Sequence, residues 1–511
     1  MTPALLLTAA TLLTAPPEPL QPDAAPFAIH VVDSGSGRGV PLVELETVAH
    51  VRYVTDSSGI AAIDDARLFD RDVFFYIHSH GYEFPPDGFG FAGRRVRVVS
   101  GGTATLQIKR VNIAERLYRV TGADIYRDTL LAGGRPPISH PLLNAGVVGS
   151  DSVVNAVFDG RVYWFWGDTN RDGYPLGCFH VPGATSRLPG DGGLDADVGV
   201  DLDYFTDDDG FVRPTCQMPG DGPTWIDGLT VVTDDAGHER MFAKYVKVRK
   251  PLVIYQRGLV EFNREASRFE KRLEYADEAP IVPTGHPFHY DLDGKSYVYF
   301  GRDYPLMRVE AAAPALLDPG RYEAYTYFRT GSSRDDFELA RDATGRLEWA
   351  WRPATIPPDE KLEGELLATG KLAAGEAYFV LSDVETGKHV AVHSSSVAYD
   401  EYLGRWVMIA LQAFGTSPLG EVWFATADQP VGPWTTARKV VTHERYSFYN
   451  PKQHPMFAKD GGRCIYFEGT YSHTFSGNPV ATPRYDYNQV MYRLDLADPR
   501  LAPELFEPAT P

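Results

Sequence analysis

Gly149-Ser150-Asp151-Ser152-Val153-Val154-Asn155-Ala156-Val157-Phe158-Asp159-Gly160-Arg161-Val162-Tyr163-Trp164-Phe165-Trp166-Gly167-Asp168 reads as one β-hairpin. It opens on a carboxylate, runs apolar, turns at Asp159-Gly160, and returns through aromatic residues to a second carboxylate. Asp-Gly between two β-branched or aromatic runs is the strongest short-range hairpin signal. The same plan returns downstream at residues 225–245, 286–303, 393–410 and 450–469. Self-similar units at this spacing point to a radially repeated sheet architecture, because a single hairpin cannot bury both of its faces. The expected fold class is all-β, with a five-bladed β-propeller over residues 142–496.

Composition agrees with many short strands joined by tight turns. Among 511 residues there are 28 Tyr, 27 Phe and 8 Trp, with 48 Gly and 39 Pro. Aromatic residues favour strands, and Gly and Pro favour the turns between them. A formal net charge of −19 repels phosphate backbones, so nucleic acid is not an expected partner. Three cysteines, Cys178, Cys216 and Cys464, form neither a disulfide framework nor a zinc spacing. A Cys178–Cys216 bridge and buried free thiols are the two readings left open.

Residues 1–25 read as a signal peptide with a Pro-rich linker. Ala4-Leu5-Leu6-Leu7-Thr8-Ala9-Ala10 is apolar, small residues follow at Ala15 and Ala24-Ala25, and no cysteine offers a lipid anchor. The expectation is a secreted or periplasmic protein without a membrane anchor. Residues 27–111 alternate β-rich runs with turns at Ser34-Gly35, Asp56-Ser57-Ser58-Gly59 and Ser100-Gly101-Gly102, which predicts a small β-sandwich. Residues 112–141 read as a connector whose start, 112–122, is the best short helix of the chain. Residues 497–511 read as a tail.

A propeller turns these repeats into a site. The residue before each inner strand and the residue after its partner share one end of the axis. On that reading Asp151 and Asp168, Asp227 and Tyr245, His286 and Arg302-Asp303, and His454 and Glu468 surround one opening. Gathered carboxylates drive their pKa values apart, which is what glycoside hydrolysis requires of its acid and base.

Asp151 and Trp225-Ile226-Asp227 resemble the first two blade openings of the arabinanase/xylosidase-type five-bladed propeller glycosidases. The resemblance implies Asp151 as base and Asp227 as the carboxylate that orients and tunes the acid. Trp164-Phe165-Trp166-Gly167-Asp168-Thr169 also resembles the signature of an uncharacterised-domain family linked to endo-D-arabinanases. The third-blade Glu-Gly-Pro acid of the first family is absent, and His286-Pro287 stands there instead. Glu468 and Asp168 are the substitutes for that acid. In the N-terminal part, Gly39-Val40-Pro41, Thr55-Asp56-Ser57-Ser58-Gly59 and Ser79-His80-Gly81-Tyr82 resemble prealbumin-like, carboxypeptidase-regulatory-type accessory domains, which implies a spacer or packing partner.

Trp225, His286, Arg302, Tyr449, Asn450, His454, Arg484 and Tyr487 are the candidate substrate-binding residues. They offer flat faces and directional hydrogen bonds to sugar hydroxyls and carboxylates. The expected partner is therefore a carbohydrate. Asp168-Thr169-Asn170-Arg171-Asp172-Gly173 matches the start of an EF-hand-type loop, so a structural calcium ion is the one cofactor to look for. The glutamate expected six residues on is Phe179. A polysaccharide lyase working through Tyr487, His286, His454 and Arg484, and a non-catalytic carbohydrate-binding protein, remain as alternatives to a hydrolase.

Overall fold

The computed structural model describes residues 25–501, so the expected signal peptide lies outside the described residues. The fold is all-β. The longest helix among the described residues has nine residues, Glu360–Ala368, and no helix there is long and apolar enough to cross a membrane.

Residues 27–110 form two four-stranded sheets packed face to face. Phe27–Asp33 lies centrally in one, paired with Ile60–Ile63 and Thr103–Arg110; Arg71–His78 is central in the other. Alternation does the work here. Ile29 and Val31 of one sheet face Leu45, Phe75 and Ile77 of the other across a dry core.

Beyond this sandwich, among the described residues, a three-stranded sheet of Gly149–Ser150, Thr169–Arg171 and Tyr174–Cys178 accompanies five larger sheets, which are antiparallel except where Ser382–Asp383 runs parallel to Thr436–Val441. Their inner hairpins are Val153–Phe158 with Arg161–Trp166, Thr224–Thr233 with Glu239–Arg249, Phe288–Leu292 with Lys295–Phe300, Val392–Asp400 with Arg405–Gln412, and Ser447–Gln453 with Cys464–Ser472. Neighbouring inner strands meet in chain order. Val153–Phe158 packs on Thr224–Thr233, and Gly228 N donates to Gly285 O at 3.2 Å. His286 bridges Ser396 in parallel, and Gln453 N donates to Ser396 Oγ at 3.0 Å. Asn155 then meets His454 across the last gap at 3.0 Å, which closes the ring. All five inner strands therefore start at the same end.

The last sheet shows a departure from sequence expectation. Its outer strand is Glu115–Arg119, paired antiparallel with Asn488–Asp495, in the segment expected to be a helix in a connector. The expectation over 112–122 and the 142 boundary are both corrected by this pairing. The physical reason is the exposed edge of Asn488–Asp495, which needs a partner. All five residues of Glu115–Arg119 are buried, so no solvent face exists for an amphipathic helix. Arg116, also buried, donates to Ser79 Oγ at 2.5 Å and ties the sandwich to the ring.

Cys178 and Cys216 are buried free thiols, and Cys464 is also free, so the expected alternative of a bridge is not formed. Burial pushes the Cys178 thiol up to about 11.

Candidate functional site

The site is built where the inner strands begin. Asp151 N donates to Asp168 O at 2.9 Å, so the two carboxylates stand on adjoining backbone at the mouth of the first ring sheet. The backbone there leaves no room for a larger residue. A Cβ on Gly149 would lie 2.5 Å from the Tyr487 carbonyl oxygen, which accepts from Ser150 N at 2.9 Å.

Asp151 is held by the residue that follows it. Ser152 N and Ser152 Oγ donate to its Oδ1 at 2.6 and 2.8 Å. Burial first, then the nearby Asp151 charge, pushes the phenols of Tyr449 and Tyr487 well above the ordinary tyrosine range. Asn450 Nδ2 donates to Ser152 Oγ and extends the network into the last sheet. Asn450 and Tyr487 hold φ of 51° and 62°, in the left-handed region. Asn tolerates that region better than most residues, whereas a bulky Tyr seldom occupies it.

Asp168 lives in a different environment. Burial pushes its carboxyl up to about 6, with Asp151 adding to the rise, although Trp225 Nε1 donates to Oδ1 at 2.8 Å and opposes it. Two neighbouring carboxyls with unlike surroundings can divide the roles of proton donor and acceptor.

Asp227, on the second ring sheet, is held ionised. Burial would raise its carboxyl, but Lys244 and Thr284 outweigh it and the shift is downward. Lys244 Nζ donates to Oδ2 at 3.0 Å, Thr284 Oγ1 to Oδ2 at 2.7 Å, and Gly228 N to Oδ1 at 2.7 Å. The register pairs Asp227 with Lys244, one residue before the expected Tyr245, which is instead a fully buried core side chain. About 35% of the Asp227 side chain remains open to solvent.

His286 stands at the third sheet's start, where its ring is pushed down to about 3 by burial and by Lys452. A neutral imidazole results. Lys452, on the inner strand of the last sheet, is lowered to about 8 by burial, with Glu468 pulling the other way. Arg302 is exposed at the junction of the third and fourth sheets, where Ser395 N donates to its carbonyl at 2.8 Å.

Glu468 and His454 do not join this group. Glu468 was expected after the second strand of its hairpin, but that strand runs to Ser472 and leaves Glu468 in its middle. Both side chains have no solvent exposure, and His454 Nε2 lies 3.4 Å from Glu468 Oε1. His454 rests against Trp164 and Phe457 and accepts from Asn155 Nδ2 on its Nδ1. Burial raises Glu468 to about 8 and drives His454 well below its usual value. A proton donor must reach its substrate, so Glu468 does not fit the role given to it. Arg484 turns away too, with a guanidinium nitrogen 3.9 Å from Asp128.

Lys244, Thr284, Ser152 and Lys452 belong to the site and escaped the sequence reading. Lys244 had a usable signal: it stands one position from the expected partner of Asp227. Thr284 and Lys452 had none, because only the ring brings them beside Asp227 and His286. Among the described residues no group of three or more His, Cys, Asp or Glu is disposed to hold a metal ion, and Asp168 of the EF-hand-like stretch is engaged by Trp225.

No protein-family description and no curated protein matches the chain. Solved structures that resemble it include a putative hydrolase from Bacteroides ovatus at 15% identity, covering 68% of this chain and 86% of that one, with a TM-score of 0.43. An exo-β-1,3-galactanase from Phanerochaete chrysosporium with galactose is 9% identical, with coverage of 75% and 65% and a TM-score of 0.38. The GH43_1 enzyme from Xanthomonas citri complexed with xylotriose is 13% identical, with coverage of 69% and 88% and a TM-score of 0.33.

Proposed function

We propose that the chain is an exported glycoside hydrolase on a five-bladed propeller, cleaving a polysaccharide or oligosaccharide at the end where the inner strands begin. One observation carries this reading. Asp151 and Asp168 stand together in unlike surroundings, one accepting two hydrogen bonds from Ser152 and the other buried and raised to about 6.

Asp168 then serves as the acid in place of Glu468. It gives its proton to the glycosidic oxygen as the bond to the anomeric carbon breaks, which spares the departing sugar an alkoxide charge. Asp151 takes a proton from the water that supplies the new hydroxyl. Asp227, fixed by Lys244 and Thr284, is the constant negative charge that favours the oxocarbenium-like transition state. Neutral His286 and exposed Arg302 contribute hydrogen bonds to sugar hydroxyls.

The test is digestion of a panel of arabinans, galactans, xylans and acidic glycans, read by mass spectrometry. Hydrolytic products are expected, with Asp151→Asn and Asp168→Asn each lowering kcat by roughly 10²–10⁴-fold. Unsaturated, ultraviolet-absorbing products would favour a lyase. Full activity of Asp151→Asn would overturn the assignment, and binding without products would leave a carbohydrate-binding protein.

A further inference from the structure

Two phenylalanines on neighbouring sheets break the same two rules. Phe414 is 85% exposed and Phe475 is 58% exposed. Both also hold positive φ, 57° and 63°, where a bulky side chain crowds its own backbone. Exposing an aromatic ring forfeits its burial energy, and the left-handed backbone adds strain. Nothing in the packing of the ring repays both costs at both places.

Their positions in the fold are equivalent. Phe414 lies between Arg405–Gln412 and Val422–Ala427, and Phe475 lies between Cys464–Ser472 and Asn488–Asp495. In each sheet this is the link from the second strand to the third, at the end where Gln412 pairs with Val392 and Ser472 with Ser447. That is the end where the carboxylates stand. Phe475 is joined to them through one residue: its ring packs edge-on against Tyr449 at 5.8 Å, and the Tyr449 phenol feels the Asp151 charge.

We propose that Phe475 and Phe414 are stacking platforms for sugar rings, so that the substrate is a glycan chain extending from the bond over Asp151 and Asp168 across the fourth and fifth sheets. A sugar ring presents a C–H face that suits a flat aromatic surface, and an exposed ring loses its unfavourable hydration when a sugar covers it. The proposal rests on the glycoside-hydrolase reading and adds to it the class of substrate, a chain in preference to a single capped sugar.

The experiment compares a polysaccharide cleaved by the wild type with an aryl monoglycoside of the same sugar. Phe475→Ala is expected to lower kcat/KM on the polymer at least tenfold and on the aryl glycoside by less than threefold; Phe414→Ala should do the same more weakly. Phe475→Tyr should restore the polymer value, and an unchanged Tm in each variant sets folding aside. Equal losses on both substrates, or no loss on either, would overturn the platforms while leaving the hydrolase reading intact. If the wild type cleaves nothing, that reading falls, and calorimetric binding of a glycan-array hit decides the platforms: affinity lost in Phe475→Ala supports them, while retained affinity, or no hit at all, rejects them.

Discussion

Trp225 and Asp168 stand on neighbouring ring sheets and are joined by one hydrogen bond, the indole Nε1 donating to Oδ1 at 2.8 Å. The bond favours the ionised carboxylate, whereas burial and the adjacent Asp151 favour the protonated one. Protonation wins up to about pH 6. The second sheet thus sets the proton affinity of a group on the first, although the two are 57 residues apart in sequence.

Replacing Trp225 by Phe keeps most of the ring and removes the donor. Asp168 should then hold its proton to higher pH, because the surviving influences both raise it. A hydrogen bond to a charged group contributes about 1.5–3 kcal/mol, so the limb assigned to Asp168 should move up by about one to two pH units. A pH profile of kcat checks this. A limb that stays in place would detach Asp168 from proton transfer.

Lys244→Met should strand the negative charge of Asp227. Thr284 and the Gly228 amide remain, but the cation that outweighs burial is gone. The carboxyl should rise, and kcat should fall by about tenfold through loss of the fixed charge. Stability should drop by only about 1 kcal/mol, because a third of the Asp227 side chain meets solvent. Kinetics and a thermal melt on one preparation separate the two effects.

The hairpin pattern was legible because strand periodicity and Asp-Gly turns are local. Asp151, Asp168 and Asp227 were singled out from it, Asp151 just before an inner strand, Asp168 just after its partner strand, and Asp227 near the start of the second inner strand. What could not be read depends on partners distant in sequence. Glu115–Arg119 looks helical until Asn488–Asp495 offers it an edge. Lys452 and His286 meet only through the ring. Glu468 was misplaced by a strand end: its strand continues to Ser472, and a few residues there separate a mouth from a buried sheet interior. Strand ends are set by tertiary pairing, which a single sequence records weakly.

The closing strand carries its own prediction. Leu117 is fully buried in the core shared with Trp164, Trp166 and Met491. Leu117→Ala should cost about 2–5 kcal/mol by leaving a cavity. A chain begun at residue 142 would lack the strand altogether and present the bare edge of Asn488–Asp495 to other chains. Such a chain should aggregate, whereas Leu117→Ala should remain monodisperse with a lowered Tm. Size-exclusion chromatography and calorimetry read the two outcomes, and a soluble, cooperatively melting 142–501 fragment would show that the ring closes without its first strand.

Glu468 allows a test in which stability and catalysis answer separately. Burial raises its carboxyl from 4.5 in the unfolded chain to about 8 in the fold, and neither oxygen has a hydrogen-bond partner. Below pH 4.5 both states are protonated, and the group's contribution to stability is fully present. As pH rises the unfolded chain ionises first, so stability is lost progressively up to about pH 8. Glu468→Gln has no such proton to lose. Its stability should match the wild type near pH 4.5 and exceed it increasingly towards pH 8, by an amount on the order of a few kcal/mol at most, read as a rising Tm. Hydrolysis should survive the substitution, because the side chain is sealed between sheets and Asp168 is the proton donor. A Tm difference that does not vary with pH would show that Glu468 is already ionised in the fold, and a kcat reduced a hundredfold with Tm unchanged would return the acid's role to Glu468.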